Sequence, residues 1–435
     1  MSEQLSDAHF KPGRLGYGIM LAAAMASSTA TYSGLAALGP LVIADLGITR
    51  FQFGLLIAAT QGTAALLAPT LGKWADRRSS RVGFFVTCAM SGASLLAVAV
   101  SPNYAWMLAA AATGGVATAM ANPVTNRLLA LTWRAGERGT VMGIKQTGVQ
   151  VGFLFAGAAL PGLAVLQGWR VALLASLLFA VLAVLMAVRR LTKNSARYSG
   201  TAVKTRTRDL VARHPVLRPV AAYALVMGAG MAAITTYLPL YAYQDLRMSA
   251  QVAGLTTAVS GGVGVVARLG WGTWTERSTR SERSLLVGVA VGATGGLGLI
   301  LATAFLPASG GLTLSVFFIG VVGLAAASVG WNIVTMMLLL RDVEPRSSGA
   351  ATGYVQRFFF IGLLASPALF GLLVDLTGAY WVGWSSVAAE FLIGAAMARR
   401  VPRSERSPRP SKSTAAPSAG ASRAGPARAD AAPPD

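Results

Sequence analysis

Four cations lie where charge is expensive. Arg127, Lys145, Arg268 and Arg357 each sit inside a long apolar run. A charged side chain at the centre of a membrane helix costs roughly 2.5–3.5 kcal/mol on insertion scales, so each of these groups requires compensation. Arginine presents paired, planar N–H donors that match a carboxylate or phosphate, and lysine supplies a compact point charge. Acids are scarcer in the same runs: Glu390 alone is at mid-run, while Asp45, Asp245 and Asp375 fall near run ends. Several cations with hardly any acid suit an anion as guest. The competing explanation is snorkelling of the long stems to an interface, strongest for Lys145, which begins its run.

Polar and aromatic residues in neighbouring runs are candidates to line the same space. Tyr32 shares a helix face with Ser28, Gln61 lies in the second run, and Gln146 and Gln150 share a face of the fifth. Tyr237, Trp331, Asn332 and Gln356 come from the second half of the chain. Rings bound a small organic ligand and amides orient it, although interhelical bonding explains each residue singly about as well.

The elements that must position these groups follow from hydropathy. Of the 435 residues, 54% are hydrophobic and 12% charged, more apolar surface than a water-soluble core can hide. A bilayer-spanning helix needs about 20 apolar residues. Twelve such runs occur, at 16–42, 53–71, 82–100, 105–131, 141–165, 171–188, 219–243, 250–271, 285–306, 312–340, 349–374 and 381–398. The expected fold is therefore an all-α membrane protein of twelve transmembrane helices. The formal charge of +21 raises nucleic acid as a partner, but the cations are placed otherwise. Of the 37 Lys and Arg residues, 30 lie in the segments that share a side with Met1, and only Arg50, Arg170 and Arg247 in the loops opposite. That asymmetry predicts a multi-pass protein of the cell membrane with both termini cytoplasmic, and no nucleic-acid partner.

The single Cys88 excludes an intrachain disulfide and reads as a small core residue. The spacing divides the chain into an N-terminal tail, 1–15, a six-helix bundle, 16–190, a cytoplasmic linker, 191–218, a second bundle, 219–398, and a tail, 399–435. The linker has room for one surface helix. The last segment is rich in Pro, Ala, Ser, Gly and Arg, a composition that reads as disordered.

The halves repeat. Gly72-Lys73-Trp74-Ala75-Asp76-Arg77 is echoed by Gly272-Thr273-Trp274-Thr275-Glu276-Arg277, and Asn122, Val124, Thr125, Leu128 and Leu129 recur 210 residues later. Gln146 recurs as Gln356. Six helices per unit give both copies one orientation, related by a pseudo-two-fold axis along the membrane normal. The four cations do not recur: their counterparts are Met337, Val355, Ala68 and Thr147, so the shared scaffold does not demand them.

The stretch Gly72 to Arg81, with its Gly, acid and following cations, together with the second copy at Gly272 to Arg277, resembles the loop signature of the major facilitator superfamily. Ser79 and Ser80 depart from the usual pattern there. The resemblance covers about residues 16–398 and implies two bundles rocking about a central site, no cofactor, and a monomer. It also implies that Gly72, Asp76, Arg77, Gly272, Glu276 and Arg277 serve conformational gating. Asp76 would face the helix starting near Ser347-Ser348-Gly349, and Glu276 the one starting near Gly139-Thr140. Arg268 with a second cation in the eleventh run is similar to branches that carry organic anions and monocarboxylates. Asn126-Arg127 with Thr132-Trp133 and Glu137-Arg138 is similar to anion:cation symporters.

The function expected is secondary active transport of a small, carboxylate-like organic anion, with the lipid bilayer as the surrounding partner. The alternative is proton-coupled efflux of a drug or metabolite, for which Glu390 would be the coupling residue. Against it, the first run lacks an acid, and the fifth reads Gly148-Val-Gln-Val-Gly152 in place of the exporters' Gly-Pro-x-x-Gly-Gly. No phosphate-binding glycine loop, metal-spaced cluster or nucleophile with a base is present, so neither an enzyme, a cofactor nor a metal site is expected.

Overall fold

Inside a hydrocarbon layer every backbone N–H and C=O must find its partner within the protein, which leaves the apolar runs one practical solution, the α-helix. The computed structural model describes residues 13–133, 138–191, 207–278, 280–308, 310–343 and 348–402. The first half comprises α1 (Arg14–Ser28), α2 (Ala30–Leu46), α3 (Arg50–Arg77), α4 (Ser80–Ala99), α5 (Tyr104–Thr132), α6 (Arg138–Gln167), α7 (Trp169–Leu174) and α8 (Leu177–Arg190). After the linker helix α9 (Thr207–Arg213) come α10 (Leu217–Gln244), α11 (Ala250–Arg277), α12 (Glu282–Ala302), α13 (Gly311–Ser328), α14 (Gly330–Asp342), α15 (Ser348–Thr377) and α16 (Tyr380–Ala398). Side-chain caps start several of them. Thr49 and Gln52 form a capping box at α3, while Ser79, Asn103, Ser249 and Ser281 accept from the first turns of α4, α5, α11 and α12.

Among the described residues, eleven segments are long and apolar enough to cross a membrane, and the bent pair α1–α2, taken as one span, supplies a twelfth. An even count returns the chain to the side on which it began. The end of the molecule carrying residues 14 and 398 is termed the near face, and the opposite end the far face. Within the first half, α3 and α4 pack on α5 and α1 packs on α6; within the second, α10 packs on α15 and α12 on α13.

The first span departs from the expected continuous helix over 16–42. Its two halves meet at Thr29 with a bend of 51°. A break at mid-membrane frees carbonyls that lipid cannot satisfy, and hydroxyls from neighbouring helices take them up. Ser91 of α4 donates to the Ser27 carbonyl at 2.5 Å and Thr118 of α5 to the Ser28 carbonyl at 2.8 Å. Ser28 itself donates back to Met25 at 2.8 Å.

The linker holds α9, where Leu210 and Val211 are buried and Arg208 and Arg213 are exposed. That amphipathic pattern fits a helix lying on the bundle at the near face. Cys88 is buried, as its surroundings in the sequence suggested. Both expected terminal tails lie largely outside the described residues.

Candidate functional site

Two long seams join the halves, α3 against α15 and α6 against α11, and α2 also meets α10 and α11. Both seams are tight toward the far face. A Cβ on Gly54 of α3 would come within 2.4 Å of the Pro367 carbonyl of α15, and one on Gly157 of α6 within 2.2 Å of the Ala258 amide of α11. Such backbone approaches tolerate only glycine and leave no passage.

A polar cluster completes this closure. Arg50, the first residue of α3, donates through Nε to Gln244 at 2.9 Å and to the Tyr380 hydroxyl at 3.1 Å, and pairs with Asp375 at 3.3 Å. The Asp375 carboxylate also accepts from the Phe51 amide at 2.8 Å. The Tyr237 hydroxyl lies 2.7 Å from both the Arg50 and Pro367 carbonyls, and its ring stacks on Phe370 at 4.5 Å. Tyr237, expected to line a ligand site, is fully buried in the far-face closure.

Toward the near face the seams separate. Leu66 on α3 is 76% exposed and Val266 on α11 is 71% exposed, and among the described residues nothing beyond the local helix lies within 4 Å of a Cβ placed on Gly72 or Gly353. These exposures fit a cleft between the two bundles, open at the near face.

Arg268 lies one helical turn beyond Gly264, which meets Gln150 of α6. With the Gln150 amide oriented by its bonding partners, its oxygen accepts from Arg268 Nη2 at 3.1 Å and its nitrogen donates to the Gln146 carbonyl at 3.2 Å. This bond crosses from one bundle to the other. The buried Nε of Arg268 has no hydrogen-bond partner among the described residues. Arg357 is exposed on α15. It lies seven residues before Leu364, which meets Gly62 of α3, so it projects along the same helix face into the opened part of that seam.

The other two cations are placed differently. Lys145 of α6 is fully buried, with its ammonium 3.0 Å from the Asn122 and 2.5 Å from the Asn126 amide oxygens of α5. Arg127 donates to the Ala75 carbonyl, and to the Arg78 carbonyl at 3.1 Å. It thereby caps the end of α3, where the helix leaves carbonyls unpaired. The structure does not gather Arg127 with Arg268 and Arg357.

Among the remaining candidates, Tyr32 is buried edge-on to Phe153 at 5.6 Å, and Gln61 is buried with its Oε1 unpartnered among the described residues. Trp331 is buried, donates to Met231 Sδ at 3.2 Å and lies 4.7 Å from the Phe359 ring. Asn332 and Gln356 border a cavity of about 10 Å³ between α14 and α15, together with Thr335. Gln356 Oε1 and Thr335 Oγ1 are both without partners among the described residues, and the space is about that of one water. Glu390 of α16 is within 3.5 Å of the Ser366 hydroxyl, its Oε2 buried without a partner among the described residues. The side chains of Asp76, Arg77, Glu276 and Arg277, and position 272, lie outside the described residues.

Two participants were not singled out as site residues by sequence: Arg50 and Asp375. They are a loop cation and a helix-end acid 325 positions apart, and nothing local relates them. Gln150, a candidate liner by sequence, is the partner of Arg268.

A twelve-span helical membrane protein whose two halves meet along seams tight at one face has the architecture of a transporter, not an enzyme. The model of the Major Facilitator Superfamily matches residues 20–339, and the chain belongs to that family. Among solved structures, it is similar to a bacterial homolog of the human lysosomal transporter Spinster in an inward-facing, unoccupied conformation (TM-score 0.71, 16% identity, covering 89% of this chain and 97% of that one). It is also similar to a D-xylose-proton symporter (TM-score 0.74, 15% identity, 90% and 98%) and to the nucleoside transporter NupG (TM-score 0.71, 12% identity, 88% and 98%). At these identities the likeness is one of fold. No curated protein sequence matches significantly.

Proposed function

We propose that the protein is a secondary active transporter that moves a small carboxylate-like organic anion across the cell membrane by alternating access. The observation that carries this reading is Arg268. Its guanidinium bonds a neutral amide across the seam, and its buried Nε has no partner among the described residues. An incoming carboxylate supplies the charge-assisted acceptor that Gln150 does not, with hydrogen bonds about twice as strong as neutral ones. Because the Arg268–Gln150 bond spans the two bundles, capture of Arg268 by an anion releases one bundle from the other.

Arg357 adds a second positive charge on the same half of the cleft. Lys145, behind Asn126, contributes field more than contact. Thirty of the 37 Lys and Arg residues lie on the near side, which supports a cytoplasmic near face with both termini inside. The gating roles of Gly72, Asp76, Arg77, Gly272, Glu276 and Arg277 belong to this proposal, as do a monomeric working unit and the two-bundle boundaries at 190 and 219.

The decisive experiment is uptake by proteoliposomes of a panel of labelled anions, neutral solutes and cations. Arg268→Gln and Arg357→Gln should each abolish carriage of the anion that wild-type protein accepts. Near-native apparent affinity in both variants would refute the clamp.

Glu390 supports a second reading, proton-coupled efflux of a drug or metabolite, because a buried carboxyl with one hydroxyl partner is able to carry a proton. Transport that loses all response to a pH gradient in Glu390→Gln would favour it over anion exchange.

A further inference from the structure

A second cavity, of about 280 Å³, opens on the outer surface of the second bundle, apart from the cleft. It is walled by Ala222 and Val226 of α10, Tyr354 and Phe358 of α15, and Ile393 and Met397 of α16, with Arg218 among its lining residues. Arg218 is the second residue of α10, and Met397 the last but one of α16, so both mark the near-face end. Val226 is eight residues further along α10, about 12 Å deeper at 1.5 Å per residue. The groove thus runs from headgroup level well into the hydrocarbon layer, whose full thickness is about 30 Å.

Its walls are apolar almost throughout, and such a space does not hold ordered water, which needs two to four polar partners. At this depth the available apolar occupant is an acyl chain. The mouth, by contrast, is cationic: Arg218 is exposed, and Arg399 and Arg400 are exposed where α16 ends. Helix α9, which packs on α15, adds exposed Arg208 and Arg213 against one acid, Asp209. An uncharged headgroup has no use for this arrangement; a phosphodiester with net negative charge does.

We propose that this groove is a binding site for an anionic phospholipid, with one acyl chain between α10, α15 and α16 and the headgroup phosphate on Arg218. The inference depends on the membrane fold and not on the identity of the transported solute.

Native mass spectrometry of the delipidated full-length protein, titrated with dioleoylphosphatidylglycerol or dioleoylphosphatidylcholine, tests it. Wild-type protein should retain the glycerol lipid roughly fivefold or more in preference to the choline lipid, about the contribution of a single cation near the surface. Arg218→Gln should lose that preference and Arg218→Lys keep it. Ala222→Trp, which fills the groove, should lose the tight adduct of either lipid while melting without lipid as wild type does; Val226→Phe serves the same purpose should Ala222→Trp not fold. Equal retention of both lipids by wild type, or wild-type retention in both Arg218→Gln and the groove-filled variant, would overturn the site.

Discussion

Asp375, near the end of α15, accepts from Arg50 twice at 3.3 Å, once from the backbone amide and once from the guanidinium. With the Phe51 amide at 2.8 Å, the carboxylate of one bundle caps the first turn of a helix in the other. An acid at a helix N-terminus satisfies orphan N–H groups and meets the positive end of the helix dipole. In sequence, Asp76 occupies the matching place at the opposite end of the same antiparallel helix pair, near the end of α3 and opposite the start of α15. The gating role proposed for Asp76 would make the two acids opposed latches, one for each face.

Replacing Asp375 by Asn removes the charge from three hydrogen bonds and should shift the protein toward opening at the far face. A loss of about 2 kcal/mol corresponds to roughly thirtyfold in the ratio of the two states. In a Cys88→Ala background, labelling of Ala58→Cys by an impermeant maleimide from the far side should rise accordingly. Asp76→Asn should move the same readout the other way. No change with Asp375→Asn would remove the latch.

Tyr237→Phe keeps the ring stacked on Phe370 but deletes the hydroxyl shared between the Arg50 and Pro367 carbonyls. The expected cost is about 1 kcal/mol, seen as a lower Tm in detergent together with increased far-side labelling. A lower Tm without increased labelling would indicate packing alone.

Gln150→Leu tests the cross-bundle bond separately from the charge. Arg268 stays positive, so anion binding should persist with altered affinity, whereas Arg268→Lys should fall well below wild type because an ammonium cannot reproduce the paired geometry. Counterflow in proteoliposomes distinguishes these outcomes: transport by Arg268→Lys equal to wild type would argue for a simple point charge.

Ser91→Ala combined with Thr118→Val strands the Ser27 and Ser28 carbonyls at the bend of the first span. Interhelical bonds in membranes average about 0.6 kcal/mol and reach about 1.7 kcal/mol, so the pair should lower Tm measurably. The transport rate should fall as well if the bend takes part in the rocking motion. An unaltered Tm would show that the break is held by packing instead.

The hydropathy runs, the charge asymmetry and the two copies of the Gly72 and Gly272 stretch were sufficient to specify twelve spans, an even topology and the family. Those properties depend on local composition and on the repeat, both of which one dimension records. Arg127, Lys145, Arg268 and Arg357 stand out in the sequence alike, by their cost in an apolar run. Nothing local separates a cation that caps the end of a neighbouring helix, as Arg127 does, from one beside a seam between the bundles, as Arg268 is. Tyr237 is the reverse case: an aromatic with a polar tip in a central span, its hydroxyl committed to two carbonyls that reach it only when α3 and α15 meet. Likewise Asp375 became a cap, and Gln150 a partner of Arg268, through contacts between helices far apart in the chain. Which polar groups pair is a property of how the bundles dock, and that was decided by the tertiary structure alone.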